Sequence, residues 1–64
     1  MTRDVARRIG RQMVATNRFR RVVLAENVAT HAIWIEARNL GGDDLTIRTM
    51  DDWITLQEHM GWPR

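Results

Sequence analysis

The stretch that most constrains the fold is residues 45–62, where a short strand passes through a turn into an amphipathic helix. Thr49 is a favourable N-cap, because its hydroxyl can accept a hydrogen bond from the backbone N–H of Asp52, which has no partner inside the helix. Asp51 and Asp52 then lie in the first turn, where the positive end of the helix dipole favours carboxylates. These signals predict a helix over residues 50–60.

This closing helix has one apolar face and a marked end. Trp53, Leu56 and Met60 form a single stripe at helical spacing. Gly61 can take the left-handed conformation that closes a helix, and Pro63 prevents its continuation. We therefore expect the other elements to pack on this helix. The predicted core places the stripe against Ile9, Ile33, Ile35 and Ile47.

The rest of the chain predicts one more helix and three strands. Residues 2–17 carry apolar side chains at helical spacing, with Thr2 as N-cap, whereas the segments that follow alternate or are rich in β-forming residues. The predicted strands are 19–26, 30–38 and 44–48, joined by turns at 26–29 and 39–43. The expected fold is a single α+β domain over residues 1–64: helix, three-stranded antiparallel meander, helix (α-β-β-β-α).

Size and composition narrow the class of protein. A chain of 64 residues without cysteine has a small core and no disulfide to support it, so a homodimer or a larger assembly would supply missing burial. The longest apolar run is four residues, which predicts neither a signal peptide nor a membrane span and so a cytoplasmic protein. The basic residues are all arginine, which is typical of a GC-rich genome such as that of an actinobacterium or its phage.

Charge is divided unequally along the chain. Residues 1–21 hold seven arginines and one aspartate, a net charge of +6, whereas residues 22–64 have a net charge of −4. On the first helix Arg3, Arg7 and Arg11 follow one another at one-turn spacing, with Arg8 at the flank. Arg18, Arg20 and Arg21 follow just after the end of this helix. This arginine face admits three interpretations: a solvated surface, a nucleic-acid contact, or a contact with an acidic protein surface.

The second candidate surface is a sheet face. If Ile33, Ile35 and Ile47 point to the helices, the opposite face holds Trp34 among charged side chains, including Arg38 and Arg48. Tryptophan on an open face is typical of a protein interface. The alternative is that Trp34 points inward after a register slip or a bulge, or is covered by a terminal segment.

Catalytic and metal chemistry receive little support from the sequence. The pairs Asp43–Asp44 and Asp51–Asp52 fall at a turn and a helix start, and their spacing lacks the close register of a calcium loop. His31 and His59 are the only imidazoles, and no nucleophile motif accompanies them. Gly41 and Gly42 belong to neither a Walker nor a dinucleotide motif. We therefore expect a protein that is not an enzyme, with no cofactor and no metal.

The α-β-β-β-α order at this length resembles the double-stranded-RNA-binding domain. That family has a glycine- and lysine-rich motif at the start of its last helix, whereas residues 49–53 here are Thr-Met-Asp-Asp-Trp. Because that departure removes the family's phosphate contact, the resemblance implies a fold and no RNA-binding site. Residues 45–53 also resemble the strand-to-helix end of a small actinobacterial family of unknown function.

The function expected from the sequence is that of a small regulatory or interaction module, phage-encoded or actinobacterial, that binds a macromolecule, most readily a protein. A nucleic-acid-binding protein is the alternative, and a small hydrolase ranks third. The candidate binding residues are Arg3, Arg7, Arg8, Arg11, Arg18, Arg20, Arg21, Trp34, Arg38 and Arg48.

Overall fold

The elements occur in the predicted order. The computed structural model describes residues 1–59. The elements are α1 (Arg3–Ala15), β1 (Phe19–Glu26), β2 (Ile33–Asn39), β3 (Asp44–Ile47) and α2 (Met50–His59). The α+β class and the helix, three-strand, helix architecture are therefore confirmed.

Both ends of α1 follow from local side chains. Thr2 caps its start, since the hydroxyl oxygen accepts a hydrogen bond from the Val5 N–H at 3.3 Å. At the other end the Thr16 hydroxyl donates to the Met13 carbonyl at 2.6 Å. Asn17 then takes a left-handed conformation, with φ of 58°, which turns the chain toward β1. The helix thus ends at Ala15, two residues before the end of the predicted segment 2–17.

The three strands form an antiparallel meander in the order β1-β2-β3. The register pairs Leu24 with Ile35 and Ile35 with Ile47, so these side chains share the face that packs on α1. Ala25 pairs with Trp34, which therefore lies on the opposite face. We call this second face the open sheet face, because no helix among residues 1–59 covers it.

The β1–β2 connection differs from the prediction: β2 begins at Ile33, not at residue 30. Asn27 organises residues 27–32 as a separate loop. Its side-chain oxygen accepts hydrogen bonds from the backbone of Ala29 and Thr30, and its own N–H donates to the Ala32 carbonyl at 2.9 Å. His31 takes a φ of 60°, which ends the alternation there. The sequence pattern missed this because an Asx turn needs only one asparagine.

The β2–β3 hairpin forms where predicted. Gly42 has a φ of +89°, and its N–H donates to the Asn39 carbonyl at 3.1 Å. The Asn39 side-chain oxygen also accepts from the Asp43 N–H at 2.9 Å. Glycine is needed at position 42 because residues with a Cβ rarely adopt that conformation.

The closing helix α2 begins at Met50, as predicted, and Thr49 is its cap. The Asp52 N–H donates to the Thr49 hydroxyl at 3.2 Å. In return, one carboxylate oxygen of Asp52 accepts from the backbone N–H groups of Arg48 and Thr49 at 2.9 and 3.1 Å. The predicted stop at Gly61 and Pro63, together with Met60, lies outside the described residues.

The core lies between α1 and the sheet, with α2 closing one side. Its buried residues are Ala6, Ile9, Met13, Ile35, Ala37, Ile47 and Trp53. The expectation that the other elements pack on α2 is wrong. Among residues 1–59, α1 contacts β1, β2 and α2, whereas α2 contacts only α1 and β3. Within residues 1–59, neither helix combines the length and apolarity that a membrane crossing requires.

Candidate functional site

The arginines of α1 differ in their contacts. Arg3 forms an ion pair with Glu26, which ties the start of α1 to the end of β1. Within residues 1–59, no carboxylate forms an ion pair with Arg7, Arg8 or Arg11. In the described part of the chain, three of the four arginines on this helix therefore have no ion-pair partner.

A shallow groove of about 430 Å³ lies beside these arginines, between α1 and β1. We call it the α1–β1 groove. It is lined by Arg7, Gly10, Arg11, Val14, Ala15, Val22 and Leu24. Val14 is 60% exposed and Leu24 is 39% exposed, so apolar side chains reach solvent next to the two unpaired arginines.

The groove exists partly because residue 10 is glycine. A Cβ at position 10 would stand 3.4 Å from the Leu24 Cδ1 and 3.9 Å from a Val22 methyl. The glycine thus lets β1 side chains approach α1 closely, and Leu24 projects at the margin of the sheet. Both of these side chains belong to β1, and at these distances a single added methyl at position 10 would make an ordinary van der Waals contact.

The open sheet face places Trp34 beside a basic side chain. The Arg48 guanidinium lies over the indole, 5.7 Å from the ring centroid. At this distance the cation is attracted by the electron-rich face of the ring. The register slip that the sequence left open does not occur, because Ile35 and Ala37 are buried in the core and Trp34 alternates with them on the opposite face. Trp34 is half-buried, with Arg48 over its ring.

An ion pair lies on the open sheet face, between β2 and β3. Arg38 Nε donates to Asp44 Oδ1 at 2.9 Å, across the β2–β3 pair. This hydrogen bond, and the attraction between the two charges, raise the pKa of Arg38 above its usual value. A depression of about 210 Å³ beside this pair is also lined by Arg21 and Glu36. Its opposite charges compensate one another.

The predicted binding residues thus fall on two surfaces. Arg7, Arg8 and Arg11 are on the helical side, whereas Arg21 pairs with Arg38 on the open sheet face. A continuous surface that follows phosphates would require Arg21 to extend the row of α1 arginines. Arg21 does not extend it, because it lies on the other face of the sheet. A bulge between Phe19 and Arg21 interrupts the pairing where β1 starts.

Opposite charges collect toward opposite edges of the sheet. Residues 1–26, which include α1 and the edge strand β1, carry a net charge of +5. Residues 43–59, which include the other edge strand β3 and α2, carry −4. Within residues 1–59 no ion pair joins an α1 arginine to an acidic residue of this second segment, although α1 and α2 are in contact.

The titratable groups considered for catalysis are dispersed. His31 Nδ1 lies 3.8 Å from the Glu26 carboxylate, which Arg3 also contacts. The His31 side chain is 81% exposed, and it does not line the depression of about 250 Å³ that Arg3 and Glu26 border. In the described part of the chain no group of three or more His, Cys, Asp or Glu side chains is placed to hold a metal ion.

Val14 and Leu24 are the two exposed apolar residues of the α1–β1 groove, and neither was a candidate from the sequence. Val14 lies about 140° around α1 from Ile9 at helical spacing, well off the buried stripe, and this was an available signal. The exposure of Leu24 was not predictable from its strand pattern, since alternation places it on the same face as the half-buried Val22. It is exposed because β1 is an edge strand and α1 covers only part of it.

Comparisons with protein-family models, curated proteins and solved structures find no match to this chain. The likeness to the double-stranded-RNA-binding domain therefore rests on the order of the elements alone.

Proposed function

We propose that this domain is a small protein-binding module that receives an acidic, partly apolar surface of its partner on the α1–β1 side. The observation that carries the proposal is the juxtaposition in the α1–β1 groove: exposed Val14 and Leu24 stand next to Arg7 and Arg11, which lack carboxylate partners among residues 1–59. A ligand that fits must supply both carboxylates and apolar groups.

Desolvation energies favour this kind of ligand. Covering exposed apolar area contributes about 25 cal/mol per Å² removed from water. Arginine also stacks and pairs with carboxylates in a fixed geometry, which is why it is enriched at protein interfaces. The open sheet face is a weaker candidate for this function, because Arg38 is paired with Asp44 and Trp34 with Arg48.

Binding to nucleic acid is the second candidate, and one observation favours it: the acidic hairpin and α2 lie toward the sheet edge opposite the α1 arginines. Phosphates could therefore approach α1 without strong repulsion. Against this, the exposed apolar side chains of the groove contribute nothing to a phosphate contact. The number of phosphates reached is also small, because Arg3 is engaged by Glu26.

Selection from a display library of random peptides tests the proposal. The library is first depleted on the Arg7→Gln/Arg11→Gln variant and then selected on the wild type. Peptides that survive should combine Asp or Glu with apolar residues, and their affinity should fall about tenfold or more in Arg7→Gln/Arg11→Gln. Arg8→Gln is the matched control, since Arg8 does not line the groove.

A parallel titration with random-sequence duplex DNA of about 20 base pairs separates the two candidates. We expect weak binding or none. Sub-micromolar affinity that falls with salt at a log–log slope of about −0.9 per phosphate, together with no wild-type-specific peptides, would overturn the proposal in favour of nucleic acid.

A further inference from the structure

Strand β1 has an edge that is open to a new strand. It lies at the margin of the sheet, and within residues 1–59 no strand pairs with its outer side. Residues 22–25, Val-Val-Leu-Ala, carry no charge and no proline. Charged residues or proline usually protect the edge strands of natural proteins, because the unpaired N–H and C=O groups of an edge recruit other chains. The charged residues of β1, Arg20, Arg21 and Glu26, lie only at its ends.

Helix α1 runs antiparallel to β1 along this edge. Arg3 near its start pairs with Glu26 at the end of β1, and Gly10 in its middle lies against Leu24 and Val22. A strand added outside β1 would therefore lie beside the groove-lining side of α1 along its whole length. The added strand would therefore cover the groove-lining side of α1 as well as the edge of β1.

The spacing of groups on α1 matches the repeat of a strand. Arg11 follows Arg7 by four positions of the helix, a rise of about 6 Å, and two positions of a strand span about 6.6 Å. Two alternate residues of an added strand can therefore stand opposite Arg7 and Arg11, and the next residue on that side approaches Val14.

We infer that the outer edge of β1 binds an extended segment of a partner protein as a fourth strand, whose α1-facing side chains follow the pattern acidic-x-acidic-x-apolar. This inference rests on the proposed function and adds the binding mode and the ligand class. Main-chain hydrogen bonds hold the segment, and its alternate side chains give specificity. A second copy of this chain is a poorer occupant, because a two-fold pairing of β1 strands would bring Arg7 and Arg11 toward their own counterparts.

The probe is a capped peptide of about ten residues, with Glu, Glu and Leu at three successive alternate positions and Thr elsewhere. It is titrated into the isotope-labelled wild type, and backbone amide exchange of residues 22–26 is followed by NMR. Strand addition should slow exchange about tenfold or more at alternate amides of this stretch, since only every second amide of an edge strand points outward.

Two backbone-methylated forms of the peptide make the test specific. One is N-methylated at alternate residues, and the other at the remaining residues, so each blocks one edge of the peptide. One form should lose binding about tenfold or more and the other should bind like the parent, because an added strand donates hydrogen bonds from a single edge. If both forms bind like the parent, strand addition is wrong.

Side-chain variants separate this failure from failure of the proposed function. Val14→Lys should weaken the peptide, whereas Val28→Lys, at an 81% exposed position in the β1–β2 loop, should not. Loss of affinity in Val14→Lys and Arg7→Gln/Arg11→Gln without amide protection would keep the groove as the site and overturn the added strand. If the wild type does not bind the peptide, the inference is overturned. If the free protein is a dimer in which the amides of residues 22–26 are already protected from exchange, this edge pairs with a second copy of the chain instead.

Discussion

Thr49 and Asp52 stabilise the start of α2 by binding each other's backbone. The sequence predicted the hydrogen bond from the Asp52 N–H to the Thr49 hydroxyl, and the structure adds the return contacts from the backbone of Arg48 and Thr49 to the Asp52 carboxylate. Such contacts can be predicted because all their members lie within five consecutive residues. The hydrogen bond from Trp53 Nε1 to Gln12 Oε1, at 2.8 Å, joins residues 41 positions apart and has no local signal.

The substitution Thr49→Ala should lower the free energy of unfolding by about 1 kcal/mol, because it removes the acceptor for the Asp52 N–H. Urea unfolding followed by circular dichroism measures this. Thr55→Ala is the control: Thr55 is exposed in the middle of α2, where alanine has the higher helix propensity, so this variant should be no less stable than the wild type. Equal stability of the two variants would show that the Thr49 cap contributes nothing.

The same limit applies to the binding residues. In the sequence Arg3, Arg7 and Arg11 are equivalent members of one stripe. The structure separates them, because Glu26, 23 residues from Arg3 along the chain, forms an ion pair with that arginine alone. Local spacing predicted which side chains share a helix face. Only the tertiary arrangement shows which of them already have a partner.

At the level of the elements, the contact of α1 with β1 depends on Gly10. Because this residue has no Cβ, the side chains of Leu24 and Val22 lie close to the helix at this point. The bounds of α1 and β1 were well predicted because capping residues and β-forming residues mark them. The start of β2 was not, because a single asparagine, Asn27, sets the length of the preceding loop.

The substitution Gly10→Ala should raise the free energy of unfolding by up to about 1 kcal/mol, the difference in helix propensity between the two residues. The added methyl would lie 3.4 Å from the Leu24 Cδ1, an ordinary contact, and Leu24 is exposed enough to turn aside. Thermal unfolding measures the change, and Gly10→Val, which is bulkier and branched, should be destabilising. Destabilisation by Gly10→Ala would show that Leu24 is held rigidly against α1.

At the level of the whole molecule, the central element is α1 and not the closing helix. Local signals in residues 45–62 are the strongest in the chain, but strong capping does not determine how much of the sheet a helix covers. That depends on the strand order, which places β1 and β2 beneath α1 and leaves β3 for α2. The same order turns the charge difference along the sequence into a charge difference across the molecule.

This separation of charge determines how self-association should respond to salt. If the basic α1–β1 side of one molecule meets the acidic β3–α2 side of the next, the contact is head-to-tail and does not close, so the mean mass should rise steadily with concentration. Added salt should reverse it, because exposed charges are screened over about 8–10 Å near physiological ionic strength. A two-fold dimer through β1 would respond in the opposite sense, since salt would screen the repulsion between its facing arginines.

The variant Arg7→Gln/Arg11→Gln distinguishes these assemblies by the sign of its effect. Removing two positive charges from the α1–β1 side should weaken the head-to-tail contact but strengthen a two-fold β1 dimer. Light scattering at several concentrations, at low and at physiological salt, measures the mass of the wild type and of the variant. We expect weak head-to-tail association of the wild type at low salt, smaller in the variant and absent at physiological salt. A wild type that stays monomeric at low salt and high concentration would contradict self-association altogether. A dimer whose mass changes neither with salt nor in the variant would place the contact on the open sheet face around Trp34.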